Sequence, residues 1–134
     1  MSLPRIPKIY QGRNPKTLLE VFTGIKPMQV DDILSERELQ DQILAEAKTY
    51  NWLVFHDNDS RRNNAGFPDL VLVKDGKIIF AELKRESKRA KLRDDQVVWI
   101  EELGRASGEN VMVAVWRPSD RDHIWAVLSG KEWN

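Results

Sequence analysis

From Ser35 onward the chain switches between two kinds of hydrophobic spacing. Over "SERELQDQILAEAKTYNW", Leu39, Ile43, Ala47 and Tyr50 recur every three or four positions, so they share one face of a helix. Ser35 and Glu38 have the spacing of a capping box. In it the hydroxyl and the carboxylate each take a backbone N–H that the first turn leaves unpaired. "WLVFHD" (Trp52 to Asp57) then reads as a strand, and "NDSRRNNAG" as a polar loop of turn formers. "GFPDLVLVKDGKIIFAELK" holds two runs of β-formers, and "KRESKRAKLR" is a basic connector. "DDQVVWIEELGRAS" predicts a second helix, with acids in the first turn where the helix dipole favours them. "NVMVAVW" predicts a fourth strand, and "RPSDRDHIWAVL" a turn into a short final helix. The order α-β-β-β-α-β-α predicts an α/β fold in which helices flank a mixed sheet.

The hairpin carries the first chemical signal. Asp75-Gly76 between β-formers is a two-residue turn of type I′, which needs positive φ at both positions. Such a loop sets the register. Counting outward, Lys74 faces Lys77, Val73 faces Ile78, Val71 faces Phe80, and Asp69 faces Glu82. Leu72 with Ile79 and Leu70 with Ala81 form the other side, and the period of two puts Lys84 on the face of Glu82. Directly opposed side chains have Cβ atoms roughly 4.5–5.5 Å apart. Two carboxylates that close repel unless one is protonated or a cation lies between them. Both faces of the hairpin are apolar in the middle, so the acids fall at the edge of a covered layer. A divalent cation suits that setting, with hard oxygen ligands too few to close a cage. A longer or bulged loop would instead leave both acids as solvated residues at a strand end.

Residues 1–34 lack periodicity and contain Pro4, Pro7, Pro15 and Pro27, against only Pro68 and Pro118 later. "KTLLEVF" within them fits a short helix. The segment reads as an arm packed on the body or on a partner, with residues 35–134 as a single domain. The 134 residues carry 21 Lys+Arg and 21 Asp+Glu, so any nucleic-acid-binding surface must be local. Cysteine is absent, which excludes disulfides and thiolate metal sites. No apolar stretch reaches the roughly 18–20 residues of a membrane span, and the N-terminus shows no signal-peptide core. The expectation is a soluble, intracellular protein without membrane contact.

Pro68-Asp69 followed by Glu82-Leu83-Lys84 on the next strand resembles the PD-(D/E)XK nuclease motif. With "ERELQDQIL", "DDQVVWIEEL" and "VAVWRPSD", about residues 35–120 resemble the VRR-NUC branch in its small stand-alone, phage-type form. The resemblance implies a restriction-endonuclease-like αβββαβ core and an endonuclease using Mg²⁺ or Mn²⁺. It implies Asp69 and Glu82 as side-chain metal ligands, joined by the backbone carbonyl of Leu83. It implies Lys84 as the residue that orients or deprotonates the attacking water, Glu38 as the helical acid near the metal, and Gln96 as a catalytic glutamine. It further implies a homodimer acting on branched DNA such as four-way junctions, in the cytoplasm of a bacterial host.

Each candidate also has a plainer reading. Glu38 either serves the capping box or reaches the cleft from the helix flank. Gln96, three before Trp99 on the buried stripe, either bonds the core or points at Lys84 or the scissile phosphate. Lys84 is either a snorkelling surface lysine or a site residue. The connector's Arg85, Lys88, Arg89 and Lys91 are either a solvated run or phosphate contacts that bind without reading sequence. Arg61 and Arg62 are weaker candidates of the same kind. His56 is read as structural, and Trp52, Trp99, Trp116 and Trp125 as core. Three functions compete with a junction-selective enzyme: a flap or single-strand nuclease, a non-cleaving DNA-binding module, and a structural interaction protein.

Overall fold

The computed structural model describes residues 9–10, 33–56, 65–87 and 89–133. Among them a five-stranded mixed sheet has the order β1-β5-β4-β3-β2. The strands are β1 (Ile9–Tyr10), β2 (Leu53–His56), β3 (Leu70–Lys74), β4 (Lys77–Leu83) and β5 (Val111–Trp116). The helices are α1 (Glu36–Thr49), α2 (Asp94–Ala106) and α3 (Arg121–Leu128), the last led in by a 3₁₀ turn at Pro118–Asp120. This is the expected α/β core with one addition. Ile9–Tyr10, within the segment read as an arm, pairs parallel with β5 and extends the sheet. "KTLLEVF" and most of the loop after β2 lie outside the described residues.

α1 begins as its sequence predicts. Ser35 Oγ accepts the Glu38 N–H at 3.1 Å, and Glu38 Oε1 accepts the Ser35 N–H at 3.3 Å. Its stripe of Leu39, Ile43 and Ala47 is fully buried. These residues pack with Leu70, Leu72, Ile79, Ala81 and α3 in the larger core, which also holds Trp52, Trp116 and Trp125. Burial of this kind is worth about 1.5–3 kcal/mol for each large side chain. A smaller core on the opposite sheet face joins Ile100 of α2 to Val113 and Val115. Trp99 lies on that side, edge-on to Phe67 with centroids 5.0 Å apart.

The sheet register follows the turn. Asp75 and Gly76 both have positive φ, 50° and 77°. Lys74 pairs with Lys77, Val71 with Phe80 and Leu70 with Ala81, so the antiparallel ladder runs without a bulge from the turn to Leu70. β4 then pairs parallel with β5 on its other side, the two joined through α2. A central β4 explains why its last residues, Ala81 to Leu83, are buried.

Candidate active site

One residue beyond the end of the β3–β4 ladder, Asp69 and Glu82 meet. Asp69 Oδ2 accepts the backbone N–H of Leu83 at 2.9 Å, which ties the end of one arm to the other. Glu82 is 1% exposed and hydrogen-bonds through its side chain to Asp69. Burial pushes the Glu82 carboxyl up to about 10, and the Asp69 hydrogen bond and charge add to the shift. The Lys84 ammonium acts in the opposite direction, and the Glu36 charge reinforces the rise. Without a cation, therefore, Glu82 holds a proton at neutral pH, and its side chain hydrogen-bonds Asp69.

That arrangement leaves one oxygen stranded. Glu82 Oε2 is buried and has no hydrogen-bond partner. A buried acceptor without a partner is costly, on the order of 1–3 kcal/mol. A divalent cation held by the two carboxylates would satisfy it and displace the Glu82 proton, so the donor set fits a hard metal. Among the described residues no group of three or more acids or histidines closes around a metal. Two carboxylates would leave a bound cation open to water and phosphate.

Lys84 is 7% exposed, and its N–H bonds the Trp116 carbonyl at 2.9 Å, so the end of β5 holds it. Burial to this degree leaves little more than the ammonium end of Lys84 at the surface. Gln96, 5% exposed, stands at the start of α2, where its Oε1 accepts the Arg93 N–H at 2.9 Å. Its own backbone N–H bonds Asp95 Oδ1 at 3.0 Å. The side-chain carbonyl of Gln96 therefore caps the helix, and its amide nitrogen makes no hydrogen bond among the described residues.

Two residues not singled out in the sequence shape this site. Gly66 has φ +90°, and a Cβ there would sit 2.5 Å from the Asp95 carbonyl oxygen and 3.0 Å from the Gln96 nitrogen. Only glycine lets the segment leading into Pro68-Asp69 press against the start of α2. Glu36 is the acid of α1 whose charge reaches Glu82, whereas the Glu38 carboxylate is engaged in the capping box. Its signal is in the spacing: Glu36 is three before Leu39 and seven before Ile43, on the buried stripe's own line.

Arg85, Arg89 and Lys91 are exposed on the connector, while Arg61, Arg62 and Lys88 lie outside the described residues. His56 pairs with Leu70, which puts it on the sheet face opposite the acids. Its Nδ1 is buried without a partner.

A mixed α/β sheet with a carboxylate pair and a buried lysine at the open end of its central hairpin is the framework of a PD-(D/E)XK nuclease. The chain belongs to the VRR-NUC domain family, whose model matches residues 5–119. That match starts before β1 and takes in every described strand. VRR-NUC domains are nuclease domains, so the substrate class is DNA. No curated protein matches the chain in direct sequence comparison. No helix among the described residues is long and apolar enough to cross a membrane.

Proposed function

We propose that this protein is a divalent-metal-dependent endonuclease, using Mg²⁺ or Mn²⁺, that acts as a homodimer on branched DNA such as four-way junctions. The observation that carries the chemistry is the Asp69–Glu82 pair, with the raised Glu82 carboxyl and its stranded buried oxygen. Asp69, Glu82 and the Leu83 carbonyl would hold the cation. Glu36 is better disposed than Glu38 to add an acid from α1, directly or through water. A divalent cation bound there would supply Lewis-acid polarisation of the phosphoryl oxygen and a water of lowered pKa.

The chain's own residues do the rest. Asp69, fixed by the Leu83 N–H, keeps its carboxylate aimed into the site without a rotamer search. The Lys84 ammonium, on the same face, would orient the attacking water and offset charge that grows on the phosphate. The spare amide hydrogens of Gln96 would bond the water or a phosphate oxygen. Arg85, Lys88, Arg89 and Lys91, with Arg61 and Arg62, would bind flanking phosphates.

Junction selectivity and the dimer rest on the resemblance to stand-alone family members. One physical feature favours a second copy. On the acids' sheet face, outer strand β2 leaves Leu53 73% and Phe55 56% exposed. A two-fold pairing would cover these apolar side chains and present two sites for paired incisions. The test is a cleavage panel of duplex, flap, single-stranded and four-way-junction DNA with Mg²⁺ or Mn²⁺, alongside mass determination in solution. Symmetric junction cuts by a dimer are expected, lost in Asp69→Ala. Preferred cutting of flaps or single strands would replace the junction reading, and tight binding without cleavage in either metal would make the protein a binding module.

A further inference from the structure

Residues 85–93, between Lys84 and α2, carry a dense positive charge, and such a run ordinarily repels itself into an extended, solvated loop. Here its described residues are held in turns. The Ser87 N–H bonds the Arg85 carbonyl, the Ala90 N–H the Ser87 carbonyl and the Lys91 N–H the Arg89 carbonyl, each at 3.0 Å. Those bonds are local and weak against the repulsion. The long-range tie comes from Arg117, just past the end of β5. Its Nη1 donates to the Arg85 carbonyl and its Nη2 to the Ala90 carbonyl, both at 2.8 Å. One guanidinium thus closes both ends of segment 85–90.

The clasp is itself braced. Asp120 Oδ2 accepts the Arg117 N–H at 2.8 Å, and Ser119 Oγ donates to Glu86 Oε2 at 3.1 Å. The connector's single acid is therefore turned onto the protein. Arg93 is matched by Asp95 at 3.2 Å. Arg85, Arg89 and Lys91 remain exposed, with no side-chain partner among the described residues. The adjacent Trp116 carbonyl holds the Lys84 N–H. Residues 116 and 117 in succession thus fix the buried lysine and the basic segment beside it.

We infer that Arg117 is a positioning residue for the DNA backbone: it holds the connector in the shape in which Arg85, Arg89 and Lys91 meet phosphates flanking the scissile one. This rests on the nuclease reading above. Arginine is required because its planar fork reaches two carbonyls at once, which a lysine ammonium on a flexible stem does not reproduce. The role is one of affinity. Phosphate binding registers in its salt dependence, with the slope of log K against log salt becoming shallower by about 0.9 for each duplex phosphate that is no longer neutralised.

The experiment compares wild type, Arg117→Gln, Arg117→Lys, the triple variant Arg85→Ala/Arg89→Ala/Lys91→Ala, and that triple combined with Arg117→Gln. Binding of a labelled four-way junction is measured in EDTA across salt concentrations, and single-turnover cleavage at saturating enzyme with Mg²⁺. Both Arg117 variants are expected to bind about tenfold more weakly, with a salt slope shallower by up to about 2.7 units, about 0.9 for each of the three phosphates. Their maximal cleavage rates stay within about twofold of wild type. The triple variant should lose affinity and salt slope to the same extent, and adding Arg117→Gln to it should weaken binding no further, because the clasp then has no charges left to present. Losses that add fully, an unchanged slope, or a fallen maximal rate with intact affinity would each overturn the proposal. If Arg117→Gln does not fold, Arg117→Lys at wild-type melting temperature decides. A wild type that neither cleaves nor binds in a salt-dependent way would overturn the nuclease reading itself.

Discussion

The β3–β4 hairpin faces like charges against each other at both ends, and the two ends resolve the conflict differently. At the turn, Lys74 is paired with Lys77. Both ammonium groups leave on long stems: Lys74 Nζ donates to the Tyr50 carbonyl at 2.6 Å, and Lys77 Nζ lies 5.2 Å from the centre of the Trp133 ring. At the open end, Asp69 and Glu82 have short stems, and Glu82 has no solvent to retreat into. Their conflict can end only by taking up a proton or a cation. A like-charge pair is harmless where the side chains can swing away, and must take up a proton or a cation where packing forbids it.

Breaking the buried end should have the largest effect. Asp69→Ala and Lys84→Ala are each expected to lower the single-turnover cleavage rate about a thousandfold or more. Cleavage at the wild-type rate in either would end the comparison. Gly66→Ala leaves both acids in place but drives a Cβ into the Asp95 carbonyl. The strained φ alone costs about 1–3 kcal/mol, measurable by urea denaturation. Cleavage should fall with it, as the Pro68-Asp69 segment is pushed off the start of α2.

Titration sharpens the contrast. In metal-free protein Glu82 holds its proton up to about 10, against an ordinary value of 4.5. Its favourable contribution is complete below the lower value and is lost as pH rises through the upper one. Between them the folded chain keeps a proton that the unfolded chain has released, so stability falls with rising pH. One proton limits the slope to about 1.4 kcal/mol per pH unit. Urea melts in EDTA from pH 5 to 9 should show this fall in wild type and its near absence in Glu82→Gln. Adding Mg²⁺ or Mn²⁺ should raise the melting temperature of wild type, by mass action, and not that of Asp69→Ala. The smallest effects belong to the turn. Lys74→Ala or Lys77→Ala should change stability by no more than about 1 kcal/mol, with the pH profile unaltered.

Much of this arrangement follows from local rules that a chain carries in its own order of residues. The Asp75-Gly76 turn and the two-residue period of a strand suffice to bring Asp69 opposite Glu82 and Lys84 onto the same face, because both are short-range and repeat without drift. The start of α1 at Ser35 and its buried stripe follow equally from capping and helical spacing. Contacts between distant segments obey no such period. That β1 adds beside β5, that Gly66 presses on α2, and that Arg117 clasps the connector all depend on how separate elements dock. The same holds for charge. Nothing in the spelling of Glu82 says that it keeps a proton to about 10; burial on the central strand and the nearness of Asp69 bring that about. Glu36 and Glu38 differ in the same way. Both are acids in one helical turn, and only the packing of α1 against the sheet directs one charge toward Glu82 and leaves the other in the cap.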